Sequence, residues 1–451
     1  DLVNPDPTDE PPPQPPECEL DGTCNQIDLL LVIDNSGTMG EEQLNLARNF
    51  PQLVDELMGL RDANGDPIDP DVNIMVTTTD FGHPLCTPFQ KPDYEPRQGA
   101  PVYTGCNSRI QRFTGLDPVD PLVIEEACTE SCPVDVAPSE PFINFGPRGT
   151  NVPGDDVHAA LSCIGPQGID GCGFEAPLET MLRAVDETAC WNDPSRPECD
   201  AEPEWAATER GFLREDATLA IAILTDELDC SVRAPDGYSY FTDADNAVYW
   251  EQNPATGVPQ ATSAICFNAG VSCFDADADG IYESCTSSDA EVLHPVERYT
   301  AYLDYLTKQR GKNVVMLGIF GVPEVVAHNP SPPYEPIAGG AIDLVYRQWT
   351  DFPFPAGDIL PDEWAEGIDA ADKTFEFGAL GPGCTGLDVD GNFTGQALPP
   401  VRMREVCESL SYVDETGQEQ VRCCIESICD TDFSPAIRCL TGLVMEAIGG
   451  E

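Results

Sequence analysis

The sequence predicts an α/β fold with a mainly parallel central sheet flanked by helices. Two observations carry that expectation. Short aliphatic runs, too apolar for a surface, recur at 28–33, 72–79, 219–224 and 313–320, as strands buried on both faces do. Segments of helical periodicity lie between and beside them, at 41–58, 177–185 and 295–310. Alternation of these two patterns points to helices packed on a parallel sheet.

The chain opens on a Pro-rich acidic stretch, residues 1–17, which reads as an extended, semi-rigid tether. The first strand, Asp28-Leu29-Leu30-Leu31-Val32-Ile33, runs directly into Asp34-Asn35-Ser36-Gly37-Thr38-Met39. In the helix over 41–58, Leu46, Ala47, Phe50, Leu53, Val54 and Leu57 share one face, and Pro51 should kink or restart it. The strand over 72–79 ends at Asp80. Residues 84–170 read as a long insertion, rich in Pro and Gly and held by disulfides of Cys86, Cys106, Cys128 and Cys132. An unstapled loop of that length would be improbable. Gly171-Cys172-Gly173-Phe174-Glu175 leads into the helix at 177–185, and the strand at 219–224 ends in Thr225-Asp226-Glu227. A second irregular insertion covers 229–294. In the helix at 295–310, Val296, Tyr299, Leu303 and Leu306 point inward and Gly311 is its stop. Residues 326–433 read as a loop-rich, cysteine-containing extension of a domain spanning 18–325. The helix at 434–449, with Ile437, Leu440 and Val444 on one face, should pack back on that domain.

Composition narrows the compartment and the partners. Twenty cysteines stand beside only four histidines, without a repeated Cys-x-x-Cys, so disulfides explain them better than zinc or redox chemistry. Disulfides imply an oxidising compartment. Short-range pairs that ordinary geometry can span are Cys18–Cys24, Cys163–Cys172, Cys190–Cys199 and Cys273–Cys285. A net charge of -58 excludes nucleic acid and argues against anionic membrane surfaces. No run has the length of a transmembrane helix, and no signal peptide is seen, so the expectation is a chain that begins after processing. A lipid-bearing cysteine upstream of Asp1 would fit the tether.

The chemistry concentrates after the first strand. Asp34, Ser36 and Thr38 gather a carboxylate and two hydroxyls at a strand's carboxyl end, where open α/β sheets place ligands. Oxygen ligands suit a hard cation, Mg²⁺ first and Ca²⁺ or Mn²⁺ next. Such residues also serve as ordinary turns and caps. Asp226 ends a second buried run in the same manner. The pattern resembles the metal-ion-dependent adhesion site (MIDAS) of von Willebrand factor A (VWA) domains. That resemblance implies a Rossmann-like VWA fold, with Asp34, Ser36, Thr38 and Asp226 around the metal and a partner's carboxylate completing its shell. VWA domains usually place a Thr in the loop before the helix at 177; here Glu175 stands as the candidate ligand. Together with Leu-Thr-Asp-Glu-Leu-Asp-Cys at 224–230 and Ser-Ile-Cys-Asp-Thr-Asp-Phe-Ser at 427–434, the stretches resemble the cysteine-rich VWA surface proteins and lipoproteins of Gram-negative bacteria.

A second candidate site is Asp275-Ala276-Asp277-Ala278-Asp279-Gly280-Ile281-Tyr282-Glu283, the front of a calcium loop. Asp275, Asp277 and Asp279, the Ile281 carbonyl and Glu283 would hold Ca²⁺; an acidic turn is the alternative. The echo at 388–392 reads as a turn. The histidines (His83, His158, His294 and His328) sit in unrelated contexts, and no nucleophile elbow or phosphate loop occurs, so catalysis is not expected. Two functions remain: a metal-dependent adhesion or binding protein of the bacterial cell surface or extracellular space, or a structural subunit of a surface assembly. In the first, the partner is a protein offering a carboxylate; in the second, self-assembly or membership of a surface complex is expected.

Overall fold

The aliphatic runs form the middle of one seven-stranded sheet, seen in a computed structural model. It describes residues 25–61, 65–116, 121–132, 136–196, 199, 211–351, 354, 359, 369–387 and 393–448. The tether, the Cys18–Cys24 pairing and the turn at 388–392 lie outside those residues. The strands are β1 (Gln26–Ile33), β2 (Asp71–Thr78), β3 (Ile143–Gly146), β4 (Gly149–Thr150), β5 (Thr218–Leu224), β6 (Val314–Phe320) and β7 (Cys423–Ser427). Their order is β7-β6-β5-β1-β2-β3-β4. Neighbours from β7 to β2 are parallel, and β3 and β4 run antiparallel at the edge. Because β1 lies between β2 and β5, the winding reverses there. The crevice beyond the carboxyl ends of β1 and β5 is therefore a topological switch point.

Alternate side chains of β1 serve opposite faces of the sheet. Leu29, Leu31 and Ile33 pack with α1 (Gly40–Met58), α2 (Val157–Ile164) and α6 (Ser434–Ile448). Leu30 and Val32 pack with α3 (Pro177–Ala184), α4 (Glu297–Asp304) and α5 (Val401–Glu408). Burial on both faces is why the run is continuously aliphatic rather than alternating. Pro51 stays inside one unbroken α1, whose apolar face is fixed against the sheet by Leu46, Phe50, Leu53, Val54 and Leu57.

The 84–170 stretch contributes β3, β4 and α2 to the sheet and core, and the 326–433 stretch contributes α5 and β7. Nine disulfides link described cysteines, none of which is free. Cys190–Cys199 and Cys273–Cys285 pair as expected. The expected Cys163–Cys172 pair does not form: α2 turns Cys163 toward Cys132, and Cys172 bonds Cys86 across the strand-end loops.

The amino edge of the sheet is closed by an ion lock. Arg214 Nε donates to Asp28 Oδ1 at 2.7 Å, its Nη1 to Asp71 Oδ1 at 2.9 Å, and its backbone N–H to Asp28 Oδ2 at 2.7 Å. Asp28 is fully buried; desolvation raises its pKa, and Arg214 and Lys312 oppose that rise. Removing one partner of such a pair leaves an uncompensated buried charge. Arg214→Met should therefore lower unfolding stability by about 3–5 kcal/mol, measured by urea titration, and Asp28→Asn in the same chain should restore part of it. A loss within experimental error for Arg214→Met would contradict this assignment.

Candidate metal centre

Beyond the carboxyl ends of β1, β2 and β5 the chain buries Asp34, Asp80, Glu175, Asp226 and Glu227 together. The β1–β5 pairing places the first of these. Ile33 sits opposite Leu224, and the Asp34 N–H donates to the Leu224 carbonyl at 2.9 Å. The carboxylate is then fixed by its neighbours: Ser36 N–H donates to Asp34 Oδ1 at 2.7 Å, and the Thr225 hydroxyl donates to Oδ2. Gln43, from the first turns of α1, donates to the Asp34 carbonyl at 2.6 Å. Ser36 Oγ and Thr38 Oγ1 lie 3.0 Å apart. Asp34, Ser36 and Thr38 thus form one connected set, and Asp226 is buried next to Thr225, whose hydroxyl holds Asp34.

The loop before α3 closes on this set. Gly171 N–H donates to the Asn35 carbonyl at 2.8 Å, and a Cβ at Gly171 would stand 2.6 Å from Asn35 atoms. Only glycine permits that approach. Glu175 is carried inward to accept from the Thr79 hydroxyl, while Thr180 donates instead to the Thr79 carbonyl at 3.2 Å. Thr180 is therefore spent within the fold. Disulfides hold the rim: Cys86–Cys172 joins the loop after β2 to that before α3, and Cys230–Cys266 fastens the segment after Asp226. Asp80 accepts from Gly82 N–H at 2.7 Å, Cys172 N–H at 3.1 Å and the Tyr94 hydroxyl at 2.5 Å.

The electrostatics are unbalanced. Among the described residues no Lys or Arg forms an ion pair with Asp34, Asp80, Glu175 or Asp226. Two oxygens, Glu175 Oε1 and Asp226 Oδ1, are buried without a hydrogen-bond partner. Desolvation pushes Asp34 up to about 6, against the hydrogen bonds from Thr225 and Ser36. Desolvation and repulsion by Asp34 raise both Glu175 and Asp226 well above the ordinary carboxylate range. Glu227 is pushed up to about 8, again by burial first and Asp34 second. Asp80 and Glu227 belong to the cluster without standing out as ligands in the sequence. Their signal is the position next to a buried run's end, which Asp80 and Asp226 share.

The second candidate lies in a surface loop. Carboxylate oxygens of Asp275, Asp277 and Asp279 all fall within 4.8 Å of one another, close enough to share one ion. Asp275 accepts from Ala278 N–H at 2.6 Å and Gly280 N–H at 3.1 Å, and Asp279 accepts from Ile281 N–H at 2.9 Å. Ile281 pairs with Arg347 in a short antiparallel ladder. The Glu283 carboxylate accepts from Ala276 N–H at 3.0 Å, across the loop. The Cys273–Cys285 bridge closes the loop at its base.

No protein-family model matches the chain, and no curated protein matches it. Among the described residues no helix is long and apolar enough to cross a membrane.

Two outcomes follow from these geometries. Carboxylates raised in the folded state bind protons that the unfolded chain has released, so stability is full below about pH 4 for these groups and is lost as pH rises through their folded values. Chelator-treated protein should melt lower at pH 8 than at pH 5, and Mg²⁺ should remove most of that difference. A pH-independent melting temperature in chelator would contradict the unbalanced cluster. In the surface loop, Ca²⁺ at one hundred times its Kd should add about 2.7 kcal/mol, and Asp277→Ala should abolish the increment in differential scanning fluorimetry. No calcium shift in the unsubstituted protein would leave the loop an acidic turn.

Proposed function

We propose that this chain is a VWA-type, MIDAS-bearing binding protein of an extracellular or cell-surface compartment, taking up a protein partner through a carboxylate. The observation that carries the reading is the buried, all-oxygen cluster in which Asp226 Oδ1 and Glu175 Oε1 find no hydrogen-bond partner and, among the described residues, no Lys or Arg pairs with Asp34, Asp80, Glu175 or Asp226. Such burial is costly unless a cation compensates it. A hard divalent cation, Mg²⁺ or else Ca²⁺ or Mn²⁺, would supply that charge and an open position for a partner's carboxylate. Asp34, Ser36, Thr38 and Asp226 would hold it, with Glu175 in the place where VWA domains carry Thr.

This chain's residues do the positioning. Thr225 and Ser36 orient Asp34, Thr79 orients Glu175, and the two rim disulfides fix the loops before any partner arrives. Preorganisation of this kind lowers the entropy cost of binding. Nine disulfides support an exported protein, since they persist in oxidising surroundings. Binding is favoured over catalysis by how the histidines are used. His83 is stacked on Phe174 at 4.2 Å and its pKa is pushed down to about 3 by burial, and His158 pairs with Asp55 near the surface.

The test is capture of partners from surface extracts on immobilised protein, with Mg²⁺ or with chelator. Partners should elute in chelator, and Thr38→Ala should reduce capture about tenfold or more, the loss of about 1.4 kcal/mol, with its melting temperature unchanged at pH 5. Assemblies that survive chelator and are untouched by Thr38→Ala would favour the structural-subunit reading instead.

A further inference from the structure

A second cluster of unsatisfied groups lies beside the metal centre and has the opposite character. A cavity of about 120 Å³ is lined by Asn35, Thr78, Tyr94, Arg97, Arg109, Arg112 and Asp170, among others. Four buried polar atoms without a partner belong to its walls: Asn35 Oδ1, Thr78 Oγ1, Arg109 Nε and Asp170 Oδ1. Three guanidinium groups converge here in a chain with only 22 basic residues.

Arg109 is the least expected of them. It is 8% exposed and, among the described residues, forms no ion pair within 4 Å, although Asp170 lies near enough to offset part of its charge. Its Nη1 and Nη2 donate to the backbone carbonyls of Gln167 and Ile164 at 3.3 and 2.9 Å, which leaves Nε free. Burial, and then Arg97 and Arg112, push it down to about 9. Arg97 stands at the exposed rim near Glu95 and, among the described residues, forms no ion pair within 4 Å. Arg112 pairs with Asp170 at 3.1 Å and lies over the Tyr94 ring, and Lys91 reaches Asp170 at 3.4 Å. Asp93 and Glu95 line the same rim. A buried guanidinium with a donor left unpaired is costly. Asp170 offsets part of the Arg109 charge, yet Arg109 Nε and Asp170 Oδ1 both stay without a hydrogen-bond partner, so the cavity offers an acceptor and a donor site together.

We propose that the cavity is a binding site for a small carboxylate that also carries a hydroxyl or ammonium donor. The carboxylate would accept from Arg109 Nε, the donor left free, with Arg97 at the rim, since charge-assisted hydrogen bonds favour it there. The second group would meet Asn35 Oδ1, Thr78 Oγ1 and Asp170 Oδ1. Pockets for drug-sized ligands measure roughly 300–1,000 Å³, so this one suits a molecule of lactate or alanine size.

Titration calorimetry on the full chain at fixed ionic strength tests this, with lactate, alanine, acetate and sulfate as probes. Lactate or alanine should bind saturably, with acetate and sulfate at least tenfold weaker. Arg97→Ala, at the rim, should weaken binding at least tenfold without changing the melting temperature, and Arg109→Lys should do so more strongly. Binding should persist in chelator, which separates this site from the metal centre. The proposal is overturned if no carboxylate binds saturably at millimolar concentration, if acetate and sulfate match lactate and alanine, if Arg97→Ala binds normally, or if chelator abolishes binding.

Discussion

Burying several carboxylates at one edge of a parallel sheet is the constraint on which the rest of this structure depends. Desolvating one carboxylate is expensive, and placing others beside it adds repulsion that low dielectric does not screen. The two ends of the same sheet solve the problem differently. At the amino end Asp28 and Asp71 share Arg214, so their charge is matched within the chain. At the carboxyl end Asp34, Asp80, Glu175 and Asp226 have no such partner among the described residues. One edge is finished as structure, while the other is left with a demand for positive charge. That asymmetry lies within a single sheet, so the two edges differ in chemistry and not in fold.

Holding like charges together requires loops that cannot relax apart. A free loop would separate Glu175 from Asp34 and let water reach both. Cys86–Cys172 closes a separation of 86 residues and Cys230–Cys266 one of 36, and both bridges attach next to the cluster. Long closures remove more denatured-state entropy in the chain-entropy account. At the far side Cys407–Cys423, Cys424–Cys439 and Cys384–Cys429 bind β7 and its continuation to α5, α6 and the neighbouring hairpin. Several of these cysteines, Cys384, Cys424 and Cys439 among them, are themselves buried in the main core, so the bridges tie edge elements to it.

What was legible in the sequence follows from the same physics. β1, β2, β5 and β6 are buried on both faces, so aliphatic runs announce them, and the acids at their ends stand out against those runs. Asp34 and Asp226 could be read in that way, and Asp80 carries the same mark. β7 could not be read as a strand: Cys423 and Cys424 fill it in place of aliphatic residues, and Glu426 is buried by contact with His328. β3 offers only four residues. Disulfide partners are set by tertiary proximity, so Cys163 found Cys132 on a neighbouring element rather than the nearer Cys172. The arginine cavity left no local pattern, because Arg97, Arg109 and Arg112 are spaced without periodicity and meet only after the 84–170 stretch folds.

The acidic cluster and the arginine cavity are not independent. Asn35 lies between Asp34 and Ser36 in the chain, and its side-chain amide donates to the Tyr94 hydroxyl at 3.0 Å. That hydroxyl in turn donates to Asp80, while Arg112 sits over the Tyr94 ring. A short polar chain therefore joins two regions of opposite unsatisfied charge across one side chain's width. Asn35 and Tyr94 are neutral groups, so the link carries hydrogen bonds and not charge: Asp80 is held by the same hydroxyl that Asn35 reaches, on the ring that Arg112 covers. A change at Tyr94 would therefore disturb both regions at once.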